Sequence, residues 1–188
     1  MSYFKTMGVV LKEVNTGEAD KIITVLTKKD GKISCIARGA RRGRSRLIAG
    51  TQLLSYSDFM LYKGKDLYTV NSCDIIESFY NIRNDMHKLT YAAHTLSIVN
   101  DVIHENQPSP GVMQLLLNTL YVLSNKDKNP LLVTSIFEMR FLSILGYAPT
   151  IKCCSYCWDV NEESFSFSFY KCGIVCSKCH EKNSDVRI

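Results

Sequence analysis

The chain has 188 residues, of which 46% are apolar, and 23 Lys+Arg against 18 Asp+Glu give a formal net charge of +5. This composition excludes a disordered chain. No run approaches the roughly 18 apolar residues of a transmembrane helix, and Met1–Thr6 lacks the apolar stretch of a signal peptide. We therefore expect a soluble cytoplasmic protein without a membrane partner, long enough for one large or two small domains.

Charge and cysteine are unevenly distributed along the chain. Residues 1–80 hold 13 basic and 8 acidic side chains, whereas the two following segments are each balanced. Six of the eight cysteines lie between Cys153 and Cys179. The sequence therefore divides into three parts, each predicted to be a domain. These are a basic front (residues 1–80), a neutral middle (residues 81–149) and a cysteine-rich end (residues 150–188).

The basic front has the pattern of β structure. Short β-branched runs alternate with turn residues, and Asp30-Gly31 is typical of a hairpin turn because it tolerates positive φ. Five strands in about 75 residues indicate a small barrel or sandwich. The predicted strands cover residues 8–11, 22–27, 33–37, 53–62 and 67–76.

The middle changes to a helical period. Apolar residues recur at helical spacing over 86–103 and again over 113–123. The segment Pro108–Gly111 separates the two. We therefore predict two amphipathic helices joined by a short loop.

A third helix is predicted over 131–145. It begins just after Pro130 and stops at Gly146, a residue suited to the C′ position. Because its only charges are Glu138 and Arg140, we expect it to be the central and most buried helix.

Two C-x₂-C pairs lie near the end of the chain, Cys154 with Cys157 and Cys176 with Cys179, in the pattern C-x₂-C-x₁₈-C-x₂-C. Each pair places two thiolates on one side of a tight turn, and two such turns provide four Zn–S bonds of roughly 2.3 Å. The spacing predicts one zinc ion per chain. Four sulfur ligands leave no position for a water, so the zinc would be structural.

Other residues near these pairs could change the ligand set. Cys153 could substitute for Cys154, Cys172 precedes Cys176 by four positions, and His180 follows Cys179. Disulfides are disfavoured because the chain shows no secretory signal.

Residues 38–46, here called the arginine loop, hold five of the eight arginines and no acid. The predicted DNA-binding residues are Lys28, Lys29, Lys32, Arg38, Arg41, Arg42, Arg44 and Arg46. Glycines would keep the loop flexible, and guanidinium groups suit phosphate oxygens. A loop that serves solubility would usually mix signs. Five single-strand phosphate contacts would give log affinity a slope of about −3.5 against log salt.

Aromatic residues occur in the fourth and fifth predicted strands. Tyr56, Phe59, Tyr62 and Tyr68 could stack on bases where they face outward, and they belong to the barrel core where they face inward.

No pattern in the sequence nominates a catalytic group. Gly64-Lys65 lacks the glycine spacing of a phosphate-binding loop, and the metalloprotease, deaminase and serine-hydrolase motifs are absent. We therefore expect a protein that is not an enzyme.

Several segments, in this order and spacing, resemble the bacterial DNA repair and recombination protein RecO family. The likeness covers nearly the whole chain. The matching segments are Gly8–Leu11, Gly17–Ile22, Arg38–Arg42, Gly146–Cys157 and Gly173–Cys179.

The resemblance implies an α+β chain with an N-terminal OB-fold, a helical domain and a zinc-ribbon-like module. It also implies that the protein binds single- and double-stranded DNA and anneals complementary strands in the cytoplasm, at the nucleoid. Family members act with RecR to load recombinase onto DNA coated by single-strand DNA-binding protein. They bind the acidic C-terminal tail of that coat protein.

The sequence departs from the family in two respects. Cys172 stands where the family often has glycine. Family members usually continue with further helices, so we expect the helical domain here to be incomplete.

Two alternatives from other classes stay open. One is an RNA-binding or transcription-linked protein that uses the same barrel and zinc module. The other is a protein-interaction adaptor whose arginine loop binds an acidic partner.

Overall fold

The computed structural model describes residues 3–64, 67–161 and 164–182. The chain forms two compact units, the barrel unit (residues 1–141) and the cysteine unit (residues 142–188). Within the described ranges, no helix has the length and apolarity needed to cross a membrane.

The first part of the barrel unit is a closed five-stranded barrel in the order β1-β2-β3-β5-β4, with β4 paired back onto β1. Its pairs are antiparallel except the parallel contact between β3 and β5. This is the arrangement of an OB-fold, which confirms the predicted fold. The strands are β1 (Tyr3–Thr16), β2 (Asp20–Thr27), β3 (Gly31–Ala37), β4 (Tyr56–Lys63) and β5 (Tyr68–Glu77).

The length of β1 closes the barrel. Residues 8–16 of this strand pair with β2, residues 3–9 pair with β4, and the register with β2 shifts between Val10 and Lys12. The sequence predicted only residues 8–11 as a strand. Burial alternates over residues 3–7, where the polar Thr6 is buried and Tyr3 and Met7 are exposed, and residues 12–15 are all exposed, so neither flank forms a continuous apolar run.

Alternating side chains of the five strands fill the barrel. The β3 residues Ile33, Cys35 and Ala37 face inward, while the residues between them are only half-buried. Phe59 and Leu61 of β4 meet them in the same core. Burying a large apolar side chain stabilises the fold by about 1.5–3 kcal/mol, so this core contributes strongly to the stability of the barrel.

Gly31 is required at the β2–β3 turn for two reasons. Its φ is +71°, and a Cβ there would clash with the carbonyl group of Gln107. We expect Gly31→Ala to lower the free energy of unfolding by about 3 kcal/mol, because backbone strain and a clash add. Urea denaturation measures this change.

Two matched glycines separate the strain from the clash. Gly17 has a φ of +53° and open space around it. Gly17→Ala should therefore cost about 1 kcal/mol, the strain alone. Gly43 has neither feature, so Gly43→Ala should change stability by less than about 0.5 kcal/mol. Equal losses for all three variants would contradict the assignment.

Four helices follow the barrel, and each of the three longer ones starts at a recognisable signal. Asp85 accepts hydrogen bonds from two amides at the start of the second helix, and prolines begin the third and fourth. The predicted helices are confirmed, with small differences in their bounds. The helices are α1 (Tyr80–Arg83), α2 (Met86–Val102), α3 (Pro110–Asn125) and α4 (Pro130–Ile144).

The expectation that α4 is the most buried helix is wrong. Only Thr134, Phe137 and Phe141 are buried. Six of its large apolar side chains are between 42% and 58% exposed, namely Leu131, Leu132, Ile136, Met139, Leu142 and Ile144. A helix with apolar residues on all sides does not reveal from sequence which face is covered. By contrast, Gly146 has the predicted positive φ, +89°, just after the helix.

The cysteine unit contains a small hairpin of β6 (Phe165–Ser168) and β7 (Gly173–Cys176), followed by α5 (Ser177–Lys182). Its buried cluster consists of Cys154, Val175 and Cys176. Two of the three buried residues are therefore cysteines, and the unit has very little apolar core of its own.

Candidate metal centre and nucleic-acid interface

The cysteine unit brings the four predicted ligands together. The sulfurs of Cys154, Cys157, Cys176 and Cys179 all lie within 4.8 Å of one another. The Cys157 and Cys176 sulfurs are 3.7 Å apart. Tetrahedral Zn–S bonds of roughly 2.3 Å require sulfur–sulfur separations of about 3.8 Å, whereas a disulfide requires about 2.0 Å. The donor set fits a metal ion and is not a pair of disulfides.

Backbone amides prepare Cys154 to act as a thiolate ligand. Burial would raise the pKa of its thiol, but amide donors at Cys157, Cys176 and Tyr156 outweigh it and lower the pKa to about 6. The amides of Tyr156 and Cys176 lie 3.5 and 3.4 Å from the sulfur. These donors orient the ligand and stabilise its charge.

Three neighbouring residues are not members of this group. Within the described ranges, Cys153, Cys172 and His180 lie outside the set of sulfurs that can share one ion. Cys172 is exposed, and its thiol donates to the carbonyl of Phe169 at 3.4 Å. The geometry thus favours the two C-x₂-C pairs over the alternatives.

The arginine loop follows β3 and is anchored to the β1–β2 connection. The amide of Gly39 donates to Asp20 Oδ1 at 2.7 Å, and the amide of Arg41 donates to the carbonyl of Ala19 at 2.9 Å. Ala40 is buried in the barrel core. Further turn bonds, such as Ser45 N to the carbonyl of Arg42 at 2.8 Å, continue the loop. The loop is thus a series of turns, in contrast to the flexible segment that its glycines suggest.

The anchored backbone of the arginine loop leaves its charged side chains exposed to solvent. All five of its arginines are exposed. Among the described residues, none of their guanidinium groups forms an ion pair with a carboxylate. The anchored backbone of the loop therefore carries five cations that have no ion-pair partner among the described residues.

The predicted lysines lie at the other end of the β2–β3 hairpin. From Asp20 to Thr27, β2 rises by about 23 Å. Lys28 and Lys29 are exposed beyond that end. Lys32 is engaged within the protein, because its Nζ donates to the carbonyl of Asn100 at 2.6 Å. The structure does not bring the lysines and arginines into one patch.

The predicted aromatic residues have different surroundings. Phe59 is fully buried in the barrel core, and Tyr68 packs against that core. Tyr56 is half-buried, and its hydroxyl lies 3.5 Å from the sulfur of Met7. Tyr62 pairs with Tyr3, with ring centroids 5.6 Å apart. Phe59 is therefore a core residue, whereas Tyr3 is exposed and its partner Tyr62 is half-buried on the outward face of β4.

The predicted strand begins at Gly8 and therefore leaves out the first five residues of β1, some of which form an outward face. Tyr3, Lys5 and Met7 alternate along the strand and are exposed, so they share its outward face. The alternation is in exposure and not in hydropathy, because Tyr3 and Met7 face outward while Thr6 faces inward, so the sequence carries no clear strand signal before Gly8.

An OB-fold barrel with an exposed basic loop, a helical region and a cluster of four cysteines that could hold a metal ion defines the structural class of this chain. Family comparison agrees with that class. The model "Recombination protein O N terminal" matches residues 1–79, and "Recombination protein O C terminal" matches residues 83–187. The chain belongs to the recombination protein O family.

Curated relatives in several bacteria support this membership. The chain is 60% identical over 183 residues to a DNA repair protein RecO of Acetivibrio thermocellus, covering 97% of this chain and 73% of that protein. It is 40% identical to the DNA repair protein RecO of Alkaliphilus metalliredigens, covering 94% and 72%. The corresponding Halalkalibacterium halodurans protein is 34% identical, covering 96% and 70%.

Proposed function

We propose that this chain is a DNA repair protein that binds single- and double-stranded DNA and anneals complementary strands. The observation that carries the proposal is the arginine loop, whose five exposed arginines form no ion pair among the described residues and stand on a backbone anchored by hydrogen bonds. Such a surface holds phosphates without selecting sequence. The relatives are named as DNA repair proteins, which supports a role for this chain in DNA repair.

Annealing follows from the electrostatics of this surface. Two complementary strands repel each other through their phosphates, and each phosphate that the loop neutralises removes part of that repulsion. The protein need not act as an enzyme in this role. Its residues bind and position the strands, and base pairing provides the favourable free energy.

The resemblance to RecO extends the proposal to partners. The chain would act with RecR and help to load recombinase onto DNA coated by single-strand DNA-binding protein, whose acidic C-terminal tail it would bind. This role places it in the cytoplasm, at the nucleoid.

We propose zinc as the metal of the tetracysteine centre. Four thiolates in a closed set suit this ion and leave no ligand position for chemistry. The ion would fix the turns that carry Cys154 and Cys176.

The proposal predicts rapid annealing of two fully complementary 30-nucleotide strands. With donor and acceptor dyes on the strands, energy transfer should develop at least about tenfold faster with the protein than without it at low salt. The acceleration should vanish near 1 M salt, where screening acts within about 3 Å.

Two outcomes would contradict this function. No gel shift with DNA at low salt would favour the adaptor alternative. Clear preference for RNA in competition with single-stranded DNA would favour the RNA-binding alternative.

A further inference from the structure

A basic pocket lies at the end of the barrel opposite the arginine loop. It has a volume of about 180 Å³ and is lined by β1, the β2–β3 turn and β4. Its lining residues are Lys5, Thr6, Met7, Lys28, Lys29 and Asp58.

The charge balance of this pocket favours an anion. Its only acid among the described lining residues, Asp58, is held by Lys5, with Nζ 2.7 Å from Oδ2. Lys28 and Lys29 have no ion-pair partner among the described residues. Within the described ranges, two ammonium groups of the lining thus have no ion-pair partner, and they lie beside a carboxylate that is already paired. The pocket suits a group of one or two negative charges, such as a phosphodiester.

The surface next to the pocket favours a nucleic-acid strand over an acidic peptide. Tyr3 and Lys5 are alternate residues on the same outward face of β1, which separates them by about 6.6 Å along the strand. Tyr3 is 57% exposed and pairs with Tyr62 of β4. An aromatic pair at this distance from an anion site can stack a base while its phosphate occupies the pocket.

We propose that this pocket binds one backbone phosphate of a nucleic-acid strand whose adjacent base stacks on the Tyr3–Tyr62 pair. The inference rests on the proposed DNA binding and adds a second contact site, which the length of β2 separates from the arginine loop. The barrel would then hold a strand at two separate points.

Fluorescence anisotropy with a labelled 20-nucleotide oligothymidylate tests the pocket in the full chain. Lys28→Ala/Lys29→Ala should weaken binding about fivefold at 0.1 M salt and make the log–log salt slope shallower by about 0.7, the loss of one phosphate contact. Asp58→Asn should strengthen binding because it releases Lys5.

Tyr3→Leu provides an independent readout. Stacking involves no counterion release, so this variant should lose affinity while its salt slope stays that of the unmodified chain. The matched control is Lys126→Ala/Lys128→Ala, which removes two exposed charges after α3 and should change neither affinity nor slope. Thermal denaturation checks that each variant remains folded.

The outcomes separate this inference from the proposed function. If the unmodified chain binds DNA but Lys28→Ala/Lys29→Ala behaves like its control, the pocket assignment is wrong and the proposed function stands. If Lys28→Ala/Lys29→Ala loses affinity for an acidic peptide and not for the oligonucleotide, the pocket is a peptide site and the phosphate assignment is wrong. If the unmodified chain does not bind DNA at all, both proposals fail.

Discussion

Cys154→Ser should abolish metal binding and unfold the cysteine unit while the barrel unit stays folded. The reason is the composition of the small core, in which Cys154 and Cys176 are two of the three buried residues. Without a metal ion, Val175 is the one buried aliphatic side chain left in that cluster. Structural zinc in small domains contributes about 10–16 kcal/mol of apparent binding free energy at neutral pH, which is more than this core can replace.

Two measurements follow the metal and the fold separately. Elemental analysis should find about one zinc per unmodified chain and almost none in the variant. Trp158 is the only tryptophan, and its amide donates to the carbonyl of Cys154 at 2.9 Å. Its fluorescence therefore reports on the cysteine unit, while far-UV circular dichroism, to which the helices α2–α4 contribute most, follows the barrel unit.

The matched control for this experiment is Cys172→Ser. Cys172 is exposed and lies outside the ligand group, so its variant should keep its zinc and the fluorescence of Trp158. A Cys154→Ser variant that binds a full equivalent of zinc would contradict the ligand assignment. So would oxidation of the four cysteines in pairs in the purified chain.

The clustering of the four cysteines could be predicted from sequence because its geometry is local. A C-x₂-C turn fixes two sulfurs relative to each other whatever the rest of the chain does. Sequence chemistry alone does not distinguish Cys153 from Cys154, since the two residues are adjacent and both carry a thiol. In the structure, the amides of Tyr156 and Cys176 point at the sulfur of Cys154, which favours Cys154 as the ligand.

The basic residues show the opposite case, in which sequence proximity misleads. Lys28 and Arg38 are close in sequence, but the β2–β3 hairpin places their segments at opposite ends of the barrel. The sequence does not distinguish Lys32 from Lys28 as a DNA-binding candidate. In the structure, the ammonium group of Lys32 donates to the carbonyl of Asn100, which is 68 residues away in the sequence. Long-range contacts of this kind leave no periodic signal in a single sequence.

The exposed face of α4 was also not predicted from the sequence, because it too depends on long-range packing. Charge content suggested burial, but burial depends on which neighbours pack against a helix and not only on its composition. The strands were easier to predict, because turn residues such as Gly31 and alternating apolar residues act within a few positions.

Removing three charges from the arginine loop should have the largest effect on DNA binding. Arg41→Ala/Arg42→Ala/Arg44→Ala would leave two of the five predicted contacts. The salt slope for single-stranded DNA should then fall from about −3.5 to about −1.4, and affinity at 0.1 M salt should fall roughly 100-fold. The slopes come from affinities measured at several salt concentrations.

The anchoring of the loop makes this a test of charge and not of folding. Backbone amides and carbonyls hold the loop, and the three side chains are exposed, so the melting temperature should hardly change. Substituting lysine at the same three positions should preserve most of the slope and lose some affinity, since ammonium groups lack the planar fork of guanidinium. An alanine variant that binds at two salt concentrations as the unmodified chain does would exclude the loop from DNA binding.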